Sequence, residues 1–529
     1  MAPARAIARL TFRTARVQTA SFALFFALVA LVNVEGFRHS YPTAASRLAF
    51  IRGFADNKAA RLFYGLPHDL TSIGGYAAWR VGGVMCIFAG MWGLLAAVRA
   101  LRAEEDSGRQ ELLLAWPVSR GHTFLARTAA VTAGAAVLGI ATWVGLVAGR
   151  LPAAGSAFLA LATVSPALVF AGVGAVASQL APTRRVALEL SSGALGVALL
   201  IRAVADTSSS LGWLRWLSPL GWVGEMRAFA DPRPALLLLP AAATVVLFAL
   251  AGRIALRRDV GVGLLQTSDS SDANLRLLGS PAAQTLRSER GSLIGWFAGI
   301  AFYAFVIGSL SNTISPSNVP ANLQRQLQKI GGASITTPAG ALGLYFLFFI
   351  LAIALFGCSQ IAAARREEAD QELETLLAMP VGRLNWLGGR LLLAAAAMAL
   401  LALATAVFAW AGAAAGGAGV SLPRLLGAGA NCLPASLLFL GLGALAFGVL
   451  PRWSAGIAYG LVSLAFVWEL FGALLGAPGW TLGLSPFHHI GLVPSQPFRA
   501  VAAVLMLAIG GAAAVLGATA FRRRDLAAG

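Results

Sequence analysis

Paired carboxylates, adjacent histidines and lysines in glycine-rich turns are the residue types that do chemistry, and this chain carries few of them. Nine of its 22 acidic residues gather in two stretches: Glu104, Glu105, Asp106 and Glu111, then Glu367, Glu368, Asp370, Glu372 and Glu374. Clustered acids can serve acid–base chemistry or hold a partner. His488 and His489 are adjacent, but no further ligands lie at zinc-site spacing, so no metal site is expected. Cys86, Cys358 and Cys432 fall inside apolar runs and read as packing residues. The only lysines, Lys58 and Lys329, do not follow a glycine, whereas a phosphate-binding loop needs G-x-x-x-x-G-K-[ST]. The chain is therefore expected to have no catalytic residues, no bound cofactor and no ATPase activity of its own.

The two acidic stretches are copies of one another. Glu104-Glu105, then Glu111, Leu113, Ala115, Pro117, Val118, Arg120 and Arg127, match Glu367-Glu368, then Glu374, Leu376, Ala378, Pro380, Val381, Arg383 and Arg390, each pair 263 positions apart. Looser echoes follow. Leu217-Ser218-Pro219 matches Leu484-Ser485-Pro486, Arg257-Arg258-Asp259 matches Arg523-Arg524-Asp525, and Arg13-x-x-Arg16 matches Arg287-x-x-Arg290. Duplication at equivalent places favours docking of a partner over chemistry. Glu104 and Glu111 are seven apart, as are Glu367 and Glu374, so each pair is expected on one helical face. Residues before proline avoid the helical region, so helices should end near Trp116 and Met379, turn a corner and re-enter.

The elements that carry these loops are apolar. Of 529 residues 58% are hydrophobic and only 12% charged, against roughly 25% charged in a soluble domain. Runs of about 18–25 apolar residues recur, each able to cross a hydrocarbon core of roughly 30 Å. Twelve spans are expected at roughly 17–36, 78–99, 124–148, 156–179, 187–206, 235–254, 293–311, 341–363, 390–415, 425–449, 455–477 and 499–519. The formal charge of +18 comes almost wholly from arginines lying between the runs, as in Arg253, Arg257 and Arg258. That distribution follows the positive-inside rule, places both termini in the cytoplasm and leaves no stripe for nucleic acid. The reading is an all-α integral membrane protein of two tandem six-helix pseudo-symmetric halves: residues 1–258, a cytoplasmic linker with a second elbow at 259–290, and residues 291–529. Each half is expected to open with an amphipathic elbow, the first carrying Arg5, Arg9, Arg13 and Arg16. The outer loops 37–77 and 312–340 are long, and those around 207–234 and 478–498 are rich in Trp and Pro.

At the doubled loop the sequence resembles the ABC-2 family of exporter permeases, whose cytoplasmic loop between the second and third helices reads like E-E-x-x-G-T-x-E-x-L-L-x-x-P-V-S-R. Gly108 is in place, Arg109 stands where Thr is common, Gln371 and Glu372 replace the Gly-Thr pair, and Gly382 replaces Ser. The fused twelve-span form looks like actinobacterial permeases of the tetronasin or polyketide-antibiotic export type. The resemblance implies residence in the bacterial inner (plasma) membrane and two separately encoded ABC ATPase subunits that hold ATP and Mg. It assigns coupling to those subunits to Glu104, Glu105, Glu111, Pro117, Val118 and Arg120, and to Glu367, Glu368, Glu374, Pro380, Val381 and Arg383. It implies export of a small amphipathic compound along spans two, five, eight and eleven. Their aromatics Phe88, Trp92, Phe348, Phe356, Phe466 and Trp468, with Glu469, are the candidate path. The alternatives are an ion-coupled secondary transporter and, more remotely, a membrane enzyme. The former would need buried ionisable relays, for which Glu189, Arg202, Asp206 and Glu469 are the candidates; Glu469 shows no evident cationic partner in the sequence.

Overall fold

A bilayer core offers no hydrogen bonds, so a chain of apolar runs must satisfy its backbone within helices. The structure, a computed structural model, describes residues 2–43, 45–48, 51, 61, 64–106, 108, 110, 118–208, 210–259, 263–265, 280–311, 337–471 and 478–526. Its regular elements among the described residues are all helical. The chain divides into two compact units, Met1–Ser271 and Asp272–Gly529.

The first unit contains α1 (Ala2–Ser40), α2 (Ile73–Asp106, with one wide turn at Ala78–Gly82), α3 (Arg120–Ala148), α4 (Ala153–Leu180), α5 (Arg184–Thr207) and α6 (Leu238–Arg257). The second contains α7 (Pro281–Leu310), α8 (Pro338–Ala369), a short α9 (Glu372–Leu377), α10 (Arg383–Ala415), α11 (Leu422–Val449), α12 (Ser454–Phe471) and α13 (Ala500–Arg523). Eleven of these helices are long and apolar enough to cross a membrane. The expected eleventh span, 455–477, is described as α12, whose 18 residues rise about 27 Å; residues 472–477 lie outside the described residues.

Helix starts depart from the sequence expectation. α1 runs without a break through the expected elbow and first span. α7 begins inside the expected linker, because Ser280 accepts the Ala283 N–H and Pro281 occupies the first helical position. The polar tract 267–272 is among the residues not described.

Packing repeats from unit to unit. α1 lies on α3, α2 on α4 and α4 on α6 in the first; α7 lies on α10, α8 on α11 and α11 on α13 in the second. α2 and α4, like α8 and α11, are the most covered helices of their units, whereas α6 is mostly uncovered. Small residues allow these approaches. On α11, Gly441 and Gly448 face the carbonyls of Gly510 and Gly517 on α13, and a Cβ at either position would collide with backbone. Gly441→Ala with Gly448→Ala is expected to force the helices apart and lower stability by about 1–3 kcal/mol, read as an earlier thermal transition of the purified protein.

Candidate functional site

The doubled loop is fully described in the second unit. α8 carries Arg365, Glu367 and Glu368 in its last turns, and Gln371 then breaks the helix in a left-handed conformation, φ 62°. α9 follows, ends at Leu377 as Pro380 requires, and α10 starts at Arg383. The expected shared face of Glu367 and Glu374 is not formed, because Gln371 separates their helices. In the first unit Gly108 holds the same place with φ 70°. Gly108 N–H donates to the Glu105 carbonyl at 2.9 Å and Gln371 N–H to that of Glu368 at 3.3 Å. Glu111 and Pro117 lie outside the described residues.

Glutamine in the left-handed region costs energy that glycine avoids. Gln371→Gly is therefore expected to stabilise the second unit by about 0.5–1 kcal/mol, while Gly108→Gln lowers the melting temperature of the first.

The acids divide into two groups by burial. Glu368 is fully enclosed: Arg524, just beyond α13, grips both its oxygens at 2.5 and 2.9 Å, and Arg365 approaches at 3.5 Å. Arg524 also lies over the Phe447 and Phe521 rings. Arg383, opening α10, donates to the Arg524 carbonyl at 2.6 Å. The first unit repeats this clasp. Arg258, beyond α6, holds Glu105 at 2.5 and 2.7 Å, with Gln179 accepting from Arg258 Nε at 2.8 Å. Arg102 reaches Glu105 at 3.0 Å, and Arg120 donates to the Arg258 carbonyl at 2.9 Å. Each clasp thus joins the end of one span, the start of the next and the end of the unit's last helix. The two-nitrogen, two-oxygen contact of Arg524 with Glu368 is strong and directional, whereas Arg258 meets both Glu105 oxygens through one nitrogen, Nη2.

The other acids take different places. Glu367 pairs with buried Arg390 at 2.7 Å, and Glu104 is half-buried. Asp370, Glu372, Glu374, Met379 and Pro380 are exposed, while Val118, Val381 and Arg383 are half-buried. Leu373 is wholly buried beneath α9 and anchors it to the core. The second loop is therefore a short helix fastened from below, with an acidic outer face.

The candidate path aromatics are mostly packed within their own units. Phe88 meets Phe25 edge-on at 5.3 Å, and Trp92 is buried. Phe348, Phe466 and Phe487 form an edge-to-face chain at 5.2 and 5.4 Å, and Phe356 abuts Trp296. Trp468 is partly exposed and donates to the Thr481 carbonyl at 2.9 Å. Glu469 does have a neighbour, the His488 imidazole with Nδ1 at 3.5 Å, which sequence reading did not find because the two lie 19 positions apart. Arg202 and Asp206 sit in a buried network with Arg215 and Glu225, held at 2.9 Å on both sides of Arg215.

The sequence model described as "Multidrug efflux system permease Rv1217c, C-terminal domain" matches residues 51–257 and 278–522, one stretch in each unit. The chain belongs to this family of multidrug efflux permeases. It is also 33% identical, over 526 residues, to the "Multidrug efflux system permease protein Rv1217c" of Mycobacterium tuberculosis (strain ATCC 25618 / H37Rv), covering 98% of this chain and 94% of that protein.

In this multidrug efflux permease the residues that sequence reading undervalued are Arg258 and Arg524. Their repetition as Arg-Arg-Asp was visible, but it read as a topological marker. Only the fold shows that each returns to the second Glu of the doubled pair.

Proposed function

We propose that the chain is the membrane-embedded permease of an ATP-driven ABC-2-type exporter that moves amphipathic drugs or antibiotics out of the cytoplasm or inner leaflet. Twelve spans, α12 among them, would cross the bacterial plasma membrane with both termini inside. Two separate ATPase subunits, holding ATP and Mg, would dock on the two loops. The observation that carries this reading is the doubled clasp. A loop tied to three helix ends cannot move alone, so a push on its outer face displaces the helices beneath it. A motor shifts a membrane equilibrium only through contacts that differ between its states, and a rigid acidic helix offers such a contact. The relative's name, a multidrug efflux permease, supports a drug as cargo. The buried Arg202 and Asp206 of α5 are paired within a network with Arg215 and Glu225, which suits structural roles better than an ion relay.

The test is reconstitution with an ABC ATPase, which the neighbouring reading frame is expected to encode. Drug-stimulated ATP hydrolysis and ATP-dependent drug uptake by inside-out vesicles are expected, both lost on Glu111→Ala with Glu374→Ala. Uptake driven by a proton gradient with no ATPase present would overturn the proposal.

A further inference from the structure

A cavity of about 510 Å³ lies in the first unit, walled by the first turns of α1 and by α2 and α3. Its volume falls within the range of small-molecule sites, roughly 300–1,000 Å³. The wall is apolar in its depth, where Trp92, Ala96 and Val131 line it, and charged toward the helix ends, where Arg99, Arg127 and Arg184 join the lining with one carboxylate, Glu104. Two of these cations are held in place: Arg99 donates to the Thr14 carbonyl at 3.0 Å and Arg127 to Gln110 at 2.7 Å. Trp92 is 1% exposed, and its indole N–H has no acceptor among the described residues.

The second unit shows what the first lacks. There Arg390, the counterpart of Arg127, faces two carboxylates, Glu367 at 2.7 Å and Glu289 of α7 at 3.9 Å. In the register set by Arg13-x-x-Arg16 and Arg287-x-x-Arg290, Glu289 corresponds to Ala15, which lines the cavity. The first unit thus has an alanine where the second has a glutamate side chain, and its cavity of about 510 Å³ is larger than the one of about 320 Å³ at the equivalent place in the second unit, lined by Ser288 and Glu367.

We infer that this cavity binds a single-chain amphiphile with an anionic head, its carboxylate or phosphate among the arginines and its chain against Trp92 and Val131. The binding does not depend on what powers transport. Both a bilayer lipid and an exported compound have this chemistry.

Native mass spectrometry of the full chain tests it, with lysophosphatidic acid and lysophosphatidylcholine of equal chain length as probes. The anionic probe is expected to bind about tenfold more tightly, the worth of one charge-assisted contact. Ala15→Glu, which installs the second unit's arrangement, should remove that preference, whereas Ala15→Gln should preserve it. Ala100→Trp, which fills the volume, should weaken both probes. Equal binding of the two probes, or an Ala15→Glu protein that keeps the preference, would overturn the inference. Vesicles containing the ATPase separate the sources: a probe retained through turnover behaves as lipid, and one accumulated in the lumen as cargo. That last arm alone rests on the proposed function.

Discussion

Arg524→Ala is expected to destabilise the second unit by about 3 kcal/mol, because it strips buried, charged Glu368 of the partner that meets both its oxygens and leaves Arg365 at 3.5 Å. Glu368 is fully enclosed and meets Arg524 through two oxygens, so water cannot replace the lost guanidinium without opening the fold. The stacking of Arg524 on Phe447 and Phe521 is lost as well. The buried thiols Cys358 and Cys432 supply the readout, since a thiol-reactive dye reaches them only as the unit unfolds. Arg524→Lys keeps the charge but loses the paired geometry, and should fall between wild type and alanine. Glu368→Leu combined with Arg524→Leu should recover much of the stability, since removing a whole buried pair costs far less than breaking it. Arg258→Ala should act on the first unit in the same direction through Glu105. An Arg524→Ala protein with an unchanged unfolding transition would show that the clasp contributes nothing to the hairpin's rigidity.

Charge reversal on the outer face should do the opposite: spare the fold and abolish the partnership. Glu372 and Glu374 are exposed on α9 and join no clasp. Surface substitutions of this kind change stability by less than about 0.5 kcal/mol. Glu372→Lys with Glu374→Lys replaces two acids by two bases where a motor subunit would dock, and like charges across an interface cost several kcal/mol. Capture of the ATPase on the tagged permease is therefore expected to fall by about a hundredfold or more, with the melting temperature unchanged. Arg524→Ala loses stability first and coupling as a result, so the two variants separate holding the loop in place from gripping the motor.

Much of this architecture could be read from the residues. Apolar runs led to the eleven helices long and apolar enough to cross a membrane, because a bilayer admits little else. The corner before α10 followed from Pro380. Burial within the repeated motif was hidden. Two adjacent glutamates look alike in sequence, yet Glu367 pairs with Arg390 on the next helix while Glu368 is clasped by a residue more than 150 positions away. No local spacing predicts that pairing. The left-handed break was read at neither Gly108 nor Gln371, since each acidic pair was expected on one helical face; at Gln371 tertiary context imposes on glutamine a conformation it avoids. The first-unit cavity was equally invisible, since its walls come from helices far apart in the chain.

The most direct test of the central claim is cross-linking from the outer face of α9. With the permease carrying Glu374→Cys in inside-out vesicles, a short thiol-reactive cross-linker is expected to capture an ATP-hydrolysing subunit and to stop ATP-dependent drug uptake. If that cysteine reacts only from the opposite side of the membrane, or captures no ATPase while uptake continues, the doubled loops are not where a motor takes hold.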